Sequence, residues 1–285
     1  MTLLGPTPTH RHVVADLVND AKVEYFPRAL GARLASLSTV LAQCDSLLHM
    51  NYRPGRAEGF RLRFDEEVHK NLVETQHLVD ACELAGTEHV CFLSSALVYT
   101  PPREAAREDG PVGGGVPPYA LVKLLQESRL RHWARRSGRP AALLRLTTVY
   151  GPGETVARAI PNFIRAALSG GEALVNRDLD ARFDPVHVDD VAEAIVTVLA
   201  RPAGGTFNIG TGRAWSPGQV AALVNRLCAG GLESPRPSEG MNFVRPVVDV
   251  SLAATILGFK AAIQLEAGLA EEISWLRDTQ LRMTA

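Results

Sequence analysis

The fold is decided by two stretches near the middle of the chain, Cys91-Phe-Leu-Ser-Ser95 and Tyr119-Ala-Leu-Val-Lys123. The first is a short apolar run and predicts a buried strand. The second follows Pro117-Pro118 and predicts a helix start, because proline is favoured in the first turn of a helix. Strand-like and helix-like segments alternate in this way through the first half of the chain. This alternation predicts a doubly wound, parallel α/β sheet.

Hydrophobic periodicity places the individual elements. Short apolar runs predict strands at Thr2–Leu4, Lys22–Phe26, Ser46–Met50, His89–Leu93 and Ala141–Arg145. Apolar residues at helical spacing predict helices at Glu66–Leu84, Tyr119–Arg136, Ala157–Ser169, Asp189–Leu199, Ser216–Cys228 and Leu265–Arg277. Helices therefore dominate the second half of the chain.

Composition narrows the class of protein. The chain has 285 residues, of which 46% are hydrophobic, and its formal net charge is −1. This balance leaves no basic surplus for binding nucleic acid or an anionic membrane. No segment approaches the roughly 18 apolar residues of a membrane span, and the first residues do not form a signal peptide. The four cysteines have no metal-like spacing, which favours reduced thiols in a cytoplasmic protein.

Tyr119 and Lys123 are a candidate acid–base pair. Residues four apart on a helix project from one face, so both side chains reach the same small volume. A phenol titrates near pH ~10, and an adjacent ammonium group favours its ionised form. The N-terminal end of the helix dipole acts in the same direction. The sequence therefore predicts that the pKa of Tyr119 is lowered.

The order of motifs along the chain resembles one known family. The motifs are Cys44–His49, Asn71, Phe92–Tyr99, Tyr119–Lys123, Val149–Gly153, Val186–Asp190, Phe207–Gly212 and Leu257–Phe259. In this order they are similar to the extended short-chain dehydrogenase/reductase family, in its nucleotide-sugar epimerase/dehydratase branch. The resemblance implies a Rossmann-type cofactor-binding core at residues 1–152. It also implies a smaller, mainly substrate-binding lobe at residues 153–285, from which residues 183–212 return to the core.

The resemblance implies roles for the matching residues. Tyr119 would be the general acid/base at a substrate hydroxyl or carbonyl, and Lys123 would lower its pKa and bind the cofactor ribose. Ser95 would hydrogen-bond the same substrate oxygen, in agreement with its place at a strand end, where α/β proteins bind ligands. Asn162 would contact the nucleotide of the substrate. Arg245 would grip a diphosphate, a role that suits the bidentate guanidinium group.

Two further features of the sequence bear on the chemistry. Dehydratases of this branch carry an Asp-Glu pair directly after the serine or threonine, and here those positions are Ala96 and Leu97. The sequence therefore predicts against a 4,6-dehydratase. The cluster of His187, Asp189 and Asp190 suggests a metal site, but in the family this segment is a strand end followed by an aspartate-capped helix. We accordingly predict no bound metal.

The first thirty residues depart from the family's pattern. The family has Gly-x-x-Gly-x-x-Gly after its first strand, and here the stretch is Gly5-Pro-Thr-Pro-Thr-His-Arg11. Pro8 lacks an amide donor, and Arg11 adds a side chain where the pyrophosphate would approach. Arg28 stands where an acidic residue usually binds the adenosine ribose, and it favours a 2′-phosphate instead. Residues 28–44 look shortened, as if a strand and a helix were trimmed. The predicted cofactor-binding residues are Gly5, Arg11, Arg28 and Lys123.

These features predict an NAD(P)-dependent epimerase or 4-ketoreductase acting on a nucleotide-activated sugar, with NADP slightly favoured over NAD. A degenerate pyrophosphate loop weakens cofactor retention, which favours a reductase that exchanges NADPH. Two alternatives stay open, a non-redox acid–base enzyme and a non-catalytic pseudoenzyme on the same fold. A homodimer through helices Glu66–Leu84 and Tyr119–Arg136 is also predicted, since family members often pair these two helices.

Overall fold

The structure is a computed structural model that describes residues 2–5, 24–27, 34–52, 57–58, 61–62, 64–101, 104–154, 158–170, 174–175, 181–228, 236–237 and 245–284. The chain divides into two compact units. The first comprises residues 1–93, 122–143 and 202–205, and the second comprises residues 94–121, 144–201 and 206–285. The predicted assignment of a cofactor core to residues 1–152 and a substrate lobe to residues 153–285 stays a prediction.

Helices and strands alternate along the described chain. The strands are β1 (Thr2–Gly5), β2 (Glu24–Pro27), β3 (Ser46–His49), β4 (Ala57–Glu58), β5 (Arg61–Leu62), β6 (His89–Ser95), β7 (Ala141–Leu146), β8 (Thr148–Tyr150), β9 (Leu174–Val175), β10 (Pro185–His187), β11 (Gly205–Ile209) and β12 (Arg236–Pro237). The helices are α1 (Leu34–Leu41), α2 (Phe64–Ala85), α3 (Pro118–Ser137), α4 (Ala159–Ser169), α5 (Val188–Ala200), α6 (Pro217–Leu227), α7 (Ser251–Leu257) and α8 (Leu265–Thr284). A short 3-10 helix spans Ala96–Val98. Of the helices in these described ranges, none is both long and apolar enough to cross a membrane.

The largest sheet has the strand order β11-β7-β6-β3. Strands β3 and β6 are parallel, with Ser46 opposite His89 and His49 opposite Phe92. The pairs β1–β2, β8–β10 and β9–β12 are parallel as well. Parallel neighbours need crossover connections. Helices lie in the described parts of the β3–β6, β8–β10 and β9–β12 connections. A parallel sheet flanked by helices confirms the predicted α/β fold class.

The core of the first unit is built from residues that the sequence marks as apolar at strand or helix spacing. Trp133 of α3 and Phe92 of β6 are fully buried in it. The remaining buried members come from α1, α2, α3 and three strands: Leu37, Leu41, Leu47, Val79, Ala81, Cys82, Val90, Leu130, Ala141 and Leu143. This packing fixes strand β6 and helix α3, the two elements that carry the predicted catalytic residues.

The core of the second unit lies among α4, α6 and α8. Phe163, Ile164 and Leu269 are fully buried there. Helix α8 also packs closely on the ends of β8 and β10, because a Cβ atom at Gly268 would overlap the phenol oxygen of Tyr150 and the ring of His187. Glycine at position 268 therefore brings the next turn of α8 to the carboxyl ends of these strands.

The predicted elements agree with the structure to within a few residues where both are defined. Strand β6 ends at Ser95 rather than Leu93, and helix α2 begins at Phe64 rather than Glu66. Within the stretch of residues 28–44, which looks shortened in the sequence, the structure describes one helix. Helix α1 spans Leu34–Leu41 and buries Leu37 and Leu41 in the first core. It has no acidic residue in its first turn and no basic residue in its last, so its ends carry no charge signal.

Candidate active site

Ser95 is the last residue of strand β6. Its side chain is 7% exposed, and it caps the 3-10 helix that follows, because its Oγ accepts a hydrogen bond from the amide of Leu97 at 3.2 Å. The turn from strand to helix explains why a hydroxyl stands at the end of a buried apolar run. It leaves the Ser95 hydroxyl at the carboxyl end of a parallel strand, the edge of an α/β sheet where ligands bind.

Tyr119 is the second residue of helix α3, and its phenol hydrogen-bonds to Ser95. The structure therefore brings these two predicted residues together. Burial raises the pKa of Tyr119, while the Ser95 hydroxyl and the positive charges of Arg158 and Arg245 oppose that rise. The predicted lowering of this pKa is wrong in direction. The sequence shows a neighbouring ammonium group, but not that the phenol is withdrawn from water.

Arg245 and Arg158 place two positive charges near the phenol of Tyr119. Burial lowers the pKa of Arg245, and so does the like charge of Arg158. Glu154 offsets this repulsion, and its Oε1 lies 3.4 Å from Nε of Arg158. Two guanidinium groups balanced by one carboxylate leave a net positive site, which suits an anionic group of a substrate.

Ser95 and Arg245 line the same small cavity. Its other lining residues are Ala96, Leu97, Leu146, Thr147, Thr148 and Pro246. Ala96 and Leu97, which stand where dehydratases have an acidic pair, thus face the cavity with side chains that cannot transfer a proton. The hydroxyls of the cavity come instead from serine and threonine.

Asn162 and Arg158 show where the sequence was less informative. Asn162 lies in the first turn of helix α4, where its Oδ1 accepts a hydrogen bond from Nη1 of Arg165 at 3.5 Å. Arg158 and Glu154 were not predicted as site residues. Their spacing of four residues, typical of a helical ion pair, was a usable signal, although it points to a charge pair and not to a ligand.

Lys123 lies in the first unit, one helical turn after Tyr119 along α3. It is 2% exposed, and its Nζ donates to the carbonyl of Leu93 at 2.8 Å. The ammonium group also lies 4.7 Å from the ring centre of Phe92 and 5.7 Å from that of Tyr52. Burial lowers the pKa of Lys123 to about 8, and the neighbouring carboxylate of Glu127 opposes this shift. A buried cation is thus held at the end of strand β6 by a carbonyl and two aromatic faces.

A serine at a strand end bonded to a tyrosine that opens the next helix, with a lysine one turn later, is the arrangement that the motifs predicted. The sequence model of the NAD-dependent epimerase/dehydratase family matches residues 32–210, more than half of the chain. The chain belongs to this family. The match confirms the family that the motifs resemble and, with it, the prediction of an enzyme of the sugar-nucleotide epimerase/dehydratase type.

Individual relatives of this family member agree with the assignment. The dTDP-L-rhamnose 4-epimerase of Burkholderia thailandensis is 31% identical over 250 residues, which are 72% of this chain and 68% of that protein. The uncharacterized UDP-glucose epimerase YtcB of Bacillus subtilis is 25% identical over 280 residues, which are 96% of this chain and 87% of that protein. The solved structure of MoeE5 in complex with UDP-glucose and NAD is 27% identical and superposes with a TM-score of 0.79. It covers 98% of this chain and 99% of that chain.

Membership of an NAD-dependent family implies a nicotinamide cofactor, and the donor set of the described residues fits one. Strand β1 ends at Gly5 and pairs in parallel with β2, as the first half of a dinucleotide-binding unit requires. Lys123 offers a buried ammonium group, a donor suited to ribose hydroxyls. Arg11 and Arg28, the other predicted cofactor ligands, lie outside the described residues, and so does Pro8.

His187 is the last residue of strand β10 and the N-cap of helix α5 in this epimerase/dehydratase family member, and it is fully buried. Its Nδ1 accepts the amide hydrogen of Asp189 at 3.3 Å, so the predicted aspartate cap is wrong and histidine is the cap. An Nδ1 that accepts leaves the ring hydrogen on Nε2, 3.6 Å from Glu271. The ligand atoms of His187, Asp189 and Glu271 lie within 4.8 Å of one another. In this tautomer, however, neither ring nitrogen offers a lone pair to a metal.

Proposed function

We propose that this protein is a 4-epimerase of nucleotide-activated sugars that uses NAD. The observation that carries the proposal is the hydrogen bond between Tyr119 and Ser95, beside the positive charges of Arg158 and Arg245. A hydroxyl-bonded phenol can exchange a proton with a sugar oxygen, and the arginines can hold the phosphates of the same molecule. The relatives named above as a dTDP-L-rhamnose 4-epimerase and a UDP-glucose epimerase support this class of substrate.

The proton chemistry follows from the residues around Tyr119. The Tyr119 phenolate takes the proton of a sugar hydroxyl as that carbon is oxidised, and the phenol so formed gives it back when the resulting ketone is reduced. Burial favours the neutral phenol, the form that donates to a ketone, whereas Ser95 and the two arginines stabilise the phenolate that accepts. Lys123 would hold the cofactor ribose. When bound, the nicotinamide supplies the acceptor and donor of hydride.

The residues around Tyr119 do not support elimination of water. It needs an additional acid and base next to the sugar, and the residues that follow Ser95 in the cavity are Ala96 and Leu97. Neither side chain can take or give a proton. This supports epimerisation over the 4,6-dehydratase activity named for other relatives.

Loss of Arg245 should weaken nucleotide-sugar binding. We expect Arg245→Ala to raise the Kd for UDP-glucose by about ten- to a hundredfold, because a hydrogen bond to a charged group contributes about 1.5–3 kcal/mol. Titration calorimetry measures this directly. The matched control is Arg226→Ala, which removes an exposed arginine paired with Glu266 on the surface. Equal affinities of the two variants for UDP-glucose would contradict the assignment of Arg245 to the diphosphate.

A second candidate is a 4-ketoreductase that exchanges NADPH. Arg28 favours a 2′-phosphate by its position in the sequence, and Pro8 and Arg11 replace glycines that would help retain the cofactor. The two candidates differ in cofactor balance, because an epimerase consumes none and a ketoreductase oxidises one NADPH for each turnover. The non-redox and pseudoenzyme alternatives predict no cofactor binding.

One experiment separates these functions. The purified protein is incubated with UDP-glucose, UDP-glucuronic acid, dTDP-L-rhamnose or a dTDP-4-keto-6-deoxy sugar, with NAD, NADP, NADPH or no cofactor added, and the sugar products are resolved by proton NMR. The proposal predicts the C4 epimer of at least one substrate without net change in nicotinamide absorbance. Consumption of NADPH on a 4-keto substrate would replace it with the reductase. No binding of NAD or NADP at millimolar concentration would overturn both.

The predicted homodimer and cytoplasmic location belong to the same proposal. Helices α2 and α3 expose apolar side chains that a helix–helix interface between two copies could cover. They are Val73 at 38%, Leu84 at 67% and Leu125 at 41% exposed. Sedimentation velocity should give the mass of two chains, and a monomer at micromolar concentration would contradict the dimer.

A further inference from the structure

Glu154 and Glu272 are carboxyl groups of the second unit whose surroundings the proposed reaction does not explain. Glu272 lies on helix α8, one turn after Gly268, and is fully buried. Neither of its carboxyl oxygens has a hydrogen-bond partner of good geometry among the described residues. Burial, and next the charge of Glu154, raise the pKa of Glu272 to about 8, opposed by the Gly151 amide and Arg165. Glu272 is thus largely neutral near pH 7.

Glu154 lies in the loop after strand β8, and its side chain is 12% exposed. Its Oε1 lies 3.4 Å from Nε of Arg158, yet within the described chain this oxygen makes no hydrogen bond. Burial raises the pKa of Glu154, and the charges of Arg158, Arg245 and Arg165 oppose that rise. The ionised form of this carboxyl therefore depends on the same arginines that flank Tyr119.

The other charged groups around this pair are engaged or exposed. Asp190 accepts hydrogen bonds from the amides of Ala262 at 2.9 Å and Ile263 at 3.2 Å. Glu271 is 53% exposed and lies 3.6 Å from Nε2 of His187. The hydroxyl of Tyr150 faces Glu272, Asp190 and Glu271, whose charges together with burial raise its pKa above the ordinary range. Acidic groups thus prevail on the α8 side of Glu154, and the arginines supply the opposing charge.

We propose that, when no ligand is bound, Glu154 is the internal anion that balances Arg158 and Arg245, and that it takes up a proton when a nucleotide diphosphate replaces it there. The inference rests on the proposed function, because it needs a diphosphate at Arg245 and Arg158. The phosphates cancel the positive charge that keeps Glu154 ionised. The neighbouring Glu272 is itself an acid, so it cannot supply a positive charge in place of the arginines. A proton from solvent then bonds to a carboxylate oxygen of Glu154, and no other bond changes.

The coupling has a defined pH dependence. Where Glu154 is ionised in the ligand-free protein, binding takes up a proton, so affinity falls as pH rises. At full coupling the Kd increases about tenfold per pH unit, corresponding to about one proton per ligand. At lower pH, where Glu154 is already neutral, the dependence disappears. UDP-glucose suits this test because its diphosphate is esterified at both ends and keeps a constant charge near neutral pH.

The experiment is calorimetric titration with UDP-glucose and, separately, dTDP-glucose, in HEPES and in Tris buffer, neither of which supplies phosphate, from pH 7 to 8.5. The difference in observed enthalpy between the buffers gives the number of protons taken up. For the unmodified protein we expect net proton uptake in this range, reaching at most about one proton between the pKa of Glu154 in the free protein and its pKa in the complex. For Glu154→Gln, which imitates the protonated acid, we expect uptake near zero and, at pH 8.5, affinity equal to or tighter than that of the unmodified protein.

Glu271→Gln is the matched control, since it removes an exposed carboxylate beside Glu272 and should leave the proton count unchanged. A purely structural role of Glu154 would make Glu154→Gln bind more weakly at every pH, and this result would overturn the proposal. Binding without proton uptake by the unmodified protein would overturn the coupling alone. Absence of binding of both nucleotide sugars would overturn the proposed function and the coupling with it.

Discussion

Replacing Tyr119 by phenylalanine is expected to lower kcat for a nucleotide-sugar substrate by about two to four orders of magnitude. The phenol is the group that hydrogen-bonds to Ser95 and faces the two arginines, so it is the proton carrier of the proposed reaction. Phenylalanine keeps the ring and its packing and removes only the hydroxyl. KM should change little, because the phosphates of the substrate are held by the arginines. Steady-state conversion followed by NMR measures both constants.

Tyr99→Phe is the matched control for this change. Tyr99 is 3% exposed, and its hydroxyl donates to Oδ1 of Asn208 at 2.6 Å, a structural bond of the second unit. Its loss should cost about 1–3 kcal/mol of stability, because it leaves a buried amide oxygen unsatisfied, and should leave kcat intact. If Tyr119→Phe retained a tenth or more of the original kcat, another group would be the acid/base.

The sequence could place Ser95 and Tyr119 because each residue lies at the end of a strand or the start of a helix. Ser95 follows an unbroken apolar run, and such a run must end where the strand leaves the core. Tyr119 follows two prolines, and proline is accepted in the first turn of a helix but not in its interior. Boundaries of this kind are local, so one sequence suffices to place them.

The pKa of Tyr119 and the roles of Arg158 and Glu154 could not be obtained in this way. A pKa depends on how much water surrounds the group, and burial of a side chain at a helix start depends on loops distant in sequence. Arg245 and Glu154 are 91 positions apart, from 154 to 245, and their proximity follows from tertiary folding alone. Sequence spacing shows which residues can meet within one helix, and not which loops meet.

The burial of Glu272 is a further property that the sequence does not reveal. Glu271 and Glu272 are neighbouring carboxyl residues on helix α8. In the structure Glu271 is 53% exposed and Glu272 is fully buried. A step of one residue on a helix turns the side chain by about 100°, and here it separates solvent from core. The energetic cost of burying that carboxyl leads to the second large effect.

We expect Glu272 to make the free energy of unfolding fall between pH 5 and pH 8, and replacement of Glu272 by glutamine to remove this contribution. The pKa of Glu272 is about 8 in the folded protein, against about 4.3 in an unfolded chain. The unfolded chain therefore releases a proton that the folded protein keeps. The stabilising contribution is complete below the unfolded pKa and is lost as pH rises toward the folded value. The slope is about 1.4 kcal/mol per pH unit, or on the order of 4 kcal/mol between pH 5 and pH 8.

Urea unfolding at pH 5, 6.5 and 8 tests this expectation, with Glu271→Gln as the exposed control that keeps the slope of the unmodified protein. If the free energy of unfolding of Glu272→Gln changed with pH as it does in the unmodified protein, Glu272 would be ionised in the folded protein, with its charge balanced by a neighbouring group. Because Glu272 is largely neutral near pH 7, a neutral amide at position 272 should leave the pKa of Glu154 nearly unchanged there. Proton uptake on nucleotide-sugar binding near pH 7 should therefore match that of the unmodified protein, although the pH dependence of stability differs.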